Sequence, residues 1–494
     1  MRDDAAAVLE RSLQGFRGQL TVADAAARSG LPTHQAAAGL TALASTHSGQ
    51  LAATEKGELI YLFPRGLVRT DRAPLATRVG RALAKVALGV VRFVVRAWVS
   101  VVLVGYAVVF VGIAIALAAK DDDNDGVGVT LAMVFRVLAE AVFWTFHPFS
   151  PANLAREPGW LHGRGRRRSA NQFPFYERVN RFVFGPAPPV EDPRATSRKV
   201  LEGIRRGLGR IVPGDVMQLT GAGRDDAERL LLRLTAEHEG DITVSEGGAI
   251  LYEFPKLRST AHPSTRSLAP LAAVDRLTGG PLVPAWTQPV QLRPLTGNSL
   301  GSNVLIGGIN AFNLVMGTVG LSTGLTIERL VDIVTRVRME DAPPLPPADG
   351  LPLVFGVIPL AFSAVLFAIP AVRAWRRRAA AARVAHENHM RAILRRIFAG
   401  GGGSQRFSFT LDELARACAE LTGRPAGAPE VERAVRALGG TVDLGPDGTL
   451  LYTFEAFERE QAAVVAQRRL AAPDEASPGA VVFSSADDVG SADR

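Results

Sequence analysis

Residues Ala97 to Ala119 form 23 consecutive uncharged positions, mostly Val, Ala, Ile and Leu, and Leu351 to Val372 form 22 more. At about 1.5 Å per helical residue each run can cross roughly 30 Å of hydrocarbon, and few soluble cores demand such a segment. Two further stretches accompany them. Val127 to His147 is apolar except for Arg136 and Glu140, and Leu295 to Ile327 is uncharged but rich in Gly, Asn and Ser. The four runs fall into two pairs, at residues 97–150 and 295–375, which predicts two transmembrane hairpins with about four spans. The glycines and asparagines of the third run also suit a re-entrant segment packed within protein.

Arginines stand outside each pair: Arg92 and Arg96 before the first, Arg164, Arg166, Arg167 and Arg168 after it, and Arg373, Arg376, Arg377 and Arg378 at the end of the last. The connections inside the pairs, Asp121 to Gly126 and Glu328 to Asp341, are acidic or near neutral. The positive-inside rule then places both termini and everything between the hairpins in the cytosol of a cytoplasmic (inner) membrane. The N-terminus carries Asp3, Asp4 and Glu10 and lacks the apolar core of a cleaved leader. Arg78, Arg81, Lys85, Arg92 and Arg96 share one helical face within about 60°. A basic amphipathic helix over residues 65–96, lying on anionic lipid headgroups, is the expectation.

The remaining sequence holds one octet three times: GELIYLFP at Gly57 to Pro64, GAILYEFP at Gly248 to Pro255 and GTLLYTFE at Gly448 to Glu455. Each octet closes a longer passage that reads as helix, Gly-containing turn, second helix and β-hairpin. In the first passage the helices are Thr21 to Gly30 and Thr33 to Ser45. In the second, a helix ends at Leu219 to Gly221 and RDDAERLLLRLTAE follows; in the third, a helix ends at Leu421 to Gly423 and EVERAVRAL follows. This order predicts three small cytosolic α+β winged-helix-like modules, at residues 1–64, 195–256 and 404–458. Period-2 alternation puts Tyr61 with Phe63, Tyr252 with Phe254 and Tyr452 with Phe454 on one face, predicted to pack on the helices as core. A basic and aromatic linker (151–194), a Pro-rich linker (257–294), a basic helix with a Gly linker (376–403) and a helix end with a disordered tail (459–494) complete the division.

A helix-turn-helix with a hairpin raises the question of DNA. The chain carries 56 basic and 48 acidic residues, but 51 of the basic ones are Arg, since only 5 are Lys, a skew that reflects GC-rich coding as readily as phosphate binding. Located within the modules, the balance reverses. Met1 to Pro64 holds 5 Lys and Arg against 6 Asp and Glu, Thr196 to Pro255 holds 8 against 10, and Ser404 to Phe457 holds 5 against 8. Neutralising phosphates supplies most of the affinity of a DNA reader, so three net acidic modules point to protein contacts or self-association, including a homo-oligomer. A basic strip on one second helix is what a DNA-binding reading would require.

No constellation argues for an enzyme. Ser299 sits in GNSLG, the pattern of a nucleophile elbow, but Pro289 and Pro294 precede it and the next His is His386. His386 and His389 lack the Glu and third ligand of a zinc protease and read as members of a solvated helix. Asp121, Asp123, Asp125 and Gly126 open like a calcium loop, yet Ala132 stands where the bidentate Glu belongs. GAG at Gly221 to Gly223 falls in a turn between helices and is no dinucleotide loop. Cys418 is the lone cysteine, which excludes an intramolecular disulfide. No cofactor or metal site is expected. Arg136 and Glu140, four apart in the second span, can pair within the membrane and face Asn310 and Asn313 of the third. GLSTG (Gly320 to Gly324) has small residues at the spacing that lets helices approach.

The segment FPFYERVNRFVFGP (Phe173 to Pro186) places Phe175, Tyr176, Val179, Phe182 and Val183 on one helical face, as an interfacial or docking helix would. It resembles a segment of uncharacterised multipass membrane proteins of bacteria and plastids. The resemblance implies a membrane protein and carries over no functional residue. Together these features predict a membrane-anchored scaffold, adaptor or sensor whose modules mediate protein association at the cytoplasmic face. The alternatives are a membrane-tethered transcription regulator and a transporter built on Arg136 and Glu140.

Overall fold

The computed structural model describes residues 2–47, 49–64, 66–67, 98–114, 173–188, 192–261, 282–336, 350–398, 407–470 and 477–485. The basic set Arg78, Arg81, Lys85, Arg92 and Arg96, the second apolar stretch with Arg136 and Glu140, the acidic turn at Asp121 and the arginines at 164–168 lie outside the described residues. In chain order the elements begin with α1 (Arg2–Ser12), β1 (Gly18–Thr21), α2 (Val22–Ser29), α3 (Thr33–Thr46), β2 (Gln50–Thr54) and β3 (Leu59–Phe63). Then come α4 (Trp98–Ala114), α5 (Phe175–Phe184), α6 (Ala195–Arg206), β4 (Arg210–Ile211), α7 (Pro213–Thr220), α8 (Arg224–His238), β5 (Asp241–Val244) and β6 (Ile250–Glu253). The chain continues with α9 (Leu300–Ser322), α10 (Ile327–Arg336), α11 (Ile358–Phe398), β7 (Ser408–Thr410), α12 (Leu411–Thr422) and α13 (Ala428–Ala437). It closes with β8 (Thr441–Leu444), β9 (Leu450–Thr453), α14 (Glu455–Leu470) and β10 (Val481–Ser484).

Two compact units emerge, one from Met1–Ala73, Val190–Leu292 and Ala381–Arg494, the other from Pro74–Pro189 and Arg293–Ala380. In the first, the succession strand, helix, helix, strand, strand occurs three times. The antiparallel sheets run β1-β3-β2, β4-β6-β5 and β7-β9-β8, so the strand bearing the octet is flanked on both sides in each. The registers match as well. Tyr61 pairs with Leu20 and Leu51, Tyr252 with Ile211 and Ile242, and Tyr452 with Phe409 and Val442.

Local sequence explains the repetition. α2 and α12 start at capping boxes, Thr21 with Asp24 and Thr410 with Glu413, whereas α7 starts on Pro213, whose fixed φ and missing N–H suit a first helical turn. All three helices stop at a glycine in the left-handed region, Gly30, Gly221 and Gly423, with φ of 70°, 73° and 69°. The six aromatics lie inside as their alternation predicts: Tyr61, Phe63, Tyr252, Phe254, Tyr452 and Phe454 are all buried. They belong to one apolar core that runs through all three sheets and their helices.

Two expectations for this unit need correction. The tail after Ala471, expected to be disordered throughout, contains β10, which pairs antiparallel with β2 and extends the first sheet to four strands. Its VVFS is β-branched and aromatic, a strand composition within a polar tail. The stretch of α11 bearing His386 and His389 is no solvated face either. His389 and Asn388 are buried, and Met390, Ala392, Ile393, Leu394 and Ile397 enter the core.

In the second unit α9 is one continuous helix across the third apolar stretch, not a broken re-entrant segment. It and the helical run Leu353–Phe398 are long and apolar enough to cross a membrane. α11 follows a π-helical turn at Leu353–Val357 and carries Pro370 inside it. Gly317 and Gly320 let the backbones meet: a Cβ on Gly317 would lie 2.9 Å from the Leu360 nitrogen, and one on Gly320 would collide with the Phe355 carbonyl. α5 is the docking helix its amphipathic pattern predicts. Val179 packs with Leu103 of α4 and Ile306 of α9, joined by Phe175 and Phe182. Arg373 fixes its end by donating to the Phe182, Val183 and Leu295 carbonyls.

Candidate functional site: buried polar contacts between the small sheets

Asp24 sits in the first turn of α2, where its carboxylate closes the capping box by accepting from the Thr21 amide at 2.8 Å. It also reaches far along the chain. The Thr260 hydroxyl donates to it at 2.7 Å, the Ala261 amide at 3.1 Å, and the Arg205 guanidinium of α6 pairs with it directly. Burial alone would raise its pKa. The Arg205 charge and the hydrogen bonds from Thr21, Thr260 and Ala261 outweigh that and hold it below the usual carboxylate value.

The second and third sheets are joined by α14. Arg468 donates to Asp215 of α7 at 2.6 Å and to the Arg210 carbonyl at 2.9 Å, and Gln461 donates to the same Asp215 at 3.3 Å. Beside Gln461, Glu460 accepts from Arg224 of α8 at 2.7 Å and from the Gly214 amide at 2.9 Å. Burial raises the Glu460 pKa, and Arg224 and Gly214 offset that only in part. Arg224 lies over the Phe457 ring at 5.2 Å, so the charge contact is also an aromatic one.

Between the first and second sheets, His238 of α8 is fully buried with its Nδ1 2.9 Å from the Thr33 hydroxyl. Desolvation, aided by His34, depresses its pKa to about 4. A histidine with a folded value below its unfolded value of ~6.5 contributes stability that is complete above pH ~6.5 and is lost as pH falls toward 4. Asp24, depressed as well, follows with a loss that begins below its unfolded value of ~3.9. Acid titration of the full chain, followed by thermal melting, is expected to show Tm falling from pH 6.5 downward. His238→Gln, which cannot ionise, should flatten the upper part of that fall.

The second helices of the three repeats differ in their basic residues. α3 carries no Lys or Arg, and α1 covers it so closely that a Cβ on Gly39 would lie 2.6 Å from Leu9. On α8, Arg229 pairs with Asp226, Arg233 with Glu237 and Arg224 with Glu460. α13 differs, with Arg433 and Arg436 exposed beside Glu430 and Glu432.

Of the predicted intramembrane polar residues, Asn310 and Asn313 are described, and both are fully buried. The Asn310 amide donates to the Ser363 carbonyl of α11 at 3.0 Å, and the Asn313 amide donates to the Leu103 carbonyl of α4 at 2.7 Å. They tie three helices together, which is what a polar side chain in such a bundle is for. Gly320, the first residue of GLSTG, makes the predicted close approach, whereas Gly324 lies in the turn that follows α9. Ser299 caps α9 by accepting from the Ser302 amide. Cys418 is buried with its pKa pushed up to about 12, far from a reactive thiol. Among the described residues no cluster of His, Cys, Asp or Glu is arranged to hold a metal.

Sequence reasoning missed Asp24, Asp215 and Glu460. Asp24 carried a signal, the capping box begun at Thr21, but a cap explains the residue locally and hides its distant partner. Comparison with known proteins adds a distant likeness. Over 263 residues the chain is 27% identical to an uncharacterised chloroplastic protein of Arabidopsis thaliana, a match that takes in 50% of this chain and 48% of the plant protein. The chain thus spans about half the length of the relative it matches. No protein-family model and no solved structure matches the chain.

Proposed function

We propose that the chain is a membrane-anchored scaffold or adaptor, in which three winged-helix-like modules form one interlocked body and serve protein association at the cytoplasmic face. The observation that carries this reading is the use made of the modules' polar residues. Asp24, Asp215 and Glu460, and the arginines Arg205, Arg224 and Arg468, are spent on buried contacts between sheets rather than displayed to a polyanion. The apolar helices α9 and Leu353–Phe398 supply the anchor, as two of about four spans arranged as two hairpins. The plant relative, described as chloroplastic, fits a membrane of bacterial or plastid type.

A tethered DNA-binding regulator is the second reading, and Arg433 and Arg436 of α13 are the observation in its favour. Fluorescence anisotropy of the detergent-solubilised full chain with duplex DNA, at low and at physiological salt, separates the two. The scaffold reading expects no binding at either salt. Binding that weakens steeply as salt rises, and that disappears in Arg433→Ala/Arg436→Ala, would replace it.

A further inference from the structure

The outer edge of the hairpin is finished differently in each of the three sheets. In the first, β10 covers β2, with Phe483 opposite Ala53 and Ser484 opposite Ala52. The Leu51 amide is also taken by the Ser485 hydroxyl at 2.9 Å. In the third, no strand covers β8 among the described residues, and a charge stands at the middle of the edge. Asp443, opposite Leu451, accepts the Leu444 amide at 2.8 Å. Because the next amide, that of Gly445, points inward to the Thr449 carbonyl, the Leu444 amide is an outward one. Asp443 therefore blocks the edge twice, by its charge and by occupying an edge donor.

Among the described residues the second sheet has neither device. Thr243 stands on β5 where Ala52 and Asp443 stand on β2 and β8, each one place after the partner of the octet tyrosine. The Ser245 amide points inward to the Ala249 carbonyl, so alternation turns the backbone groups of Val244 and Ile242 outward. Their side chains are bare as well, Ile242 at 49% exposed and Val244 at 69%. The edge is also self-complementary. Antiparallel pairing about a two-fold axis at Thr243 sets Ile242 opposite Val244, Thr243 opposite Thr243, and Asp241 opposite Ser245, with no like charges facing. The outward groups of Ile242 and Val244 then meet each other as hydrogen-bonded pairs. The same operation on β8 would set Asp443 against Asp443.

We propose that β5 is a homodimer interface, pairing antiparallel with β5 of a second copy of this chain to give a continuous sheet β4-β6-β5-β5-β6-β4. This extends the association reading above from contacts within one chain to a contact between two. It is separable from that reading, because Thr243 touches none of the ion pairs that join the sheets.

The test is the mass of the detergent-solubilised full chain by light scattering, corrected for bound detergent, with Thr243→Asp as the variant that copies the charge of Asp443 into this edge. The expected result is a dimer for the natural chain and complete loss of the dimer in T243D, with its helix content by circular dichroism retained. Thr243→Cys should form a disulfide-linked dimer on mild oxidation while the natural chain does not, since its lone Cys418 is buried. A natural chain of single-copy mass overturns the proposal. So does a dimer that persists in T243D, or one that T243C fails to cross-link, because either places the interface elsewhere.

Discussion

Asp24→Ala is expected to destabilise the first unit by about 3–5 kcal/mol, the usual consequence of leaving a buried charge without its partner. The Arg205 side chain is 11% exposed and cannot turn to water without unpacking α6, and the Thr21 and Ala261 amides and the Thr260 hydroxyl lose their acceptor together. Against a total stability of about 5–15 kcal/mol this is a large share, worth roughly 10 °C in Tm. Asp226→Ala provides the comparison. Its ion pair with Arg229 is exposed on both sides, so its loss should leave stability nearly unchanged. Thermal melting of both variants beside the natural chain decides the matter. Equal, small shifts would mean that Asp24 is no more than a helix cap.

The second large effect is expected in the apolar helices. Gly320→Ala puts a methyl group into the Phe355 carbonyl, and because the obstacle is backbone, α9 must move away from the π-helical turn at Leu353–Val357. Overpacking of this kind costs about 1–3 kcal/mol, and more when no side chain can yield. Gly307 and Gly308 lie on the same helix with no atom within 4 Å of a built Cβ. Gly307→Ala should therefore be neutral or stabilise by up to about 1 kcal/mol through helix propensity. The contrast, read by melting the full chain in detergent, separates a helix contact from a general intolerance of alanine in α9.

Much of this architecture was legible because it is local. The turn glycines, the two capping boxes and the alternation of Tyr61 with Phe63, Tyr252 with Phe254 and Tyr452 with Phe454 lie within a few residues of one another, and the structure repeats them in register. Asn310 and Asn313 stand out in the sequence as polar residues of an apolar run, expected to face Arg136 and Glu140, but the carbonyls they bond, those of Ser363 and Leu103, carry no sequence signal. What joins the sheets was not legible. Asp24 and Arg205 are separated by 181 positions, Arg224 and Glu460 by 236, and each has an adequate local explanation as a cap or a helix-face charge. β10 was hidden for the opposite reason: four strand-forming residues in a polar tail take on structure only when an edge such as β2 is there to receive them.

Native-state hydrogen exchange of the full chain, read by mass spectrometry with and without Asp24→Ala, tests most directly whether the three sheets and their helices act as one body. The account predicts that the core amides of α2, α7 and α12 exchange through a common opening in the natural chain, and that Asp24→Ala speeds exchange in all three. Faster exchange confined to α2, with α7 and α12 as protected as before, would contradict it and leave three independent modules.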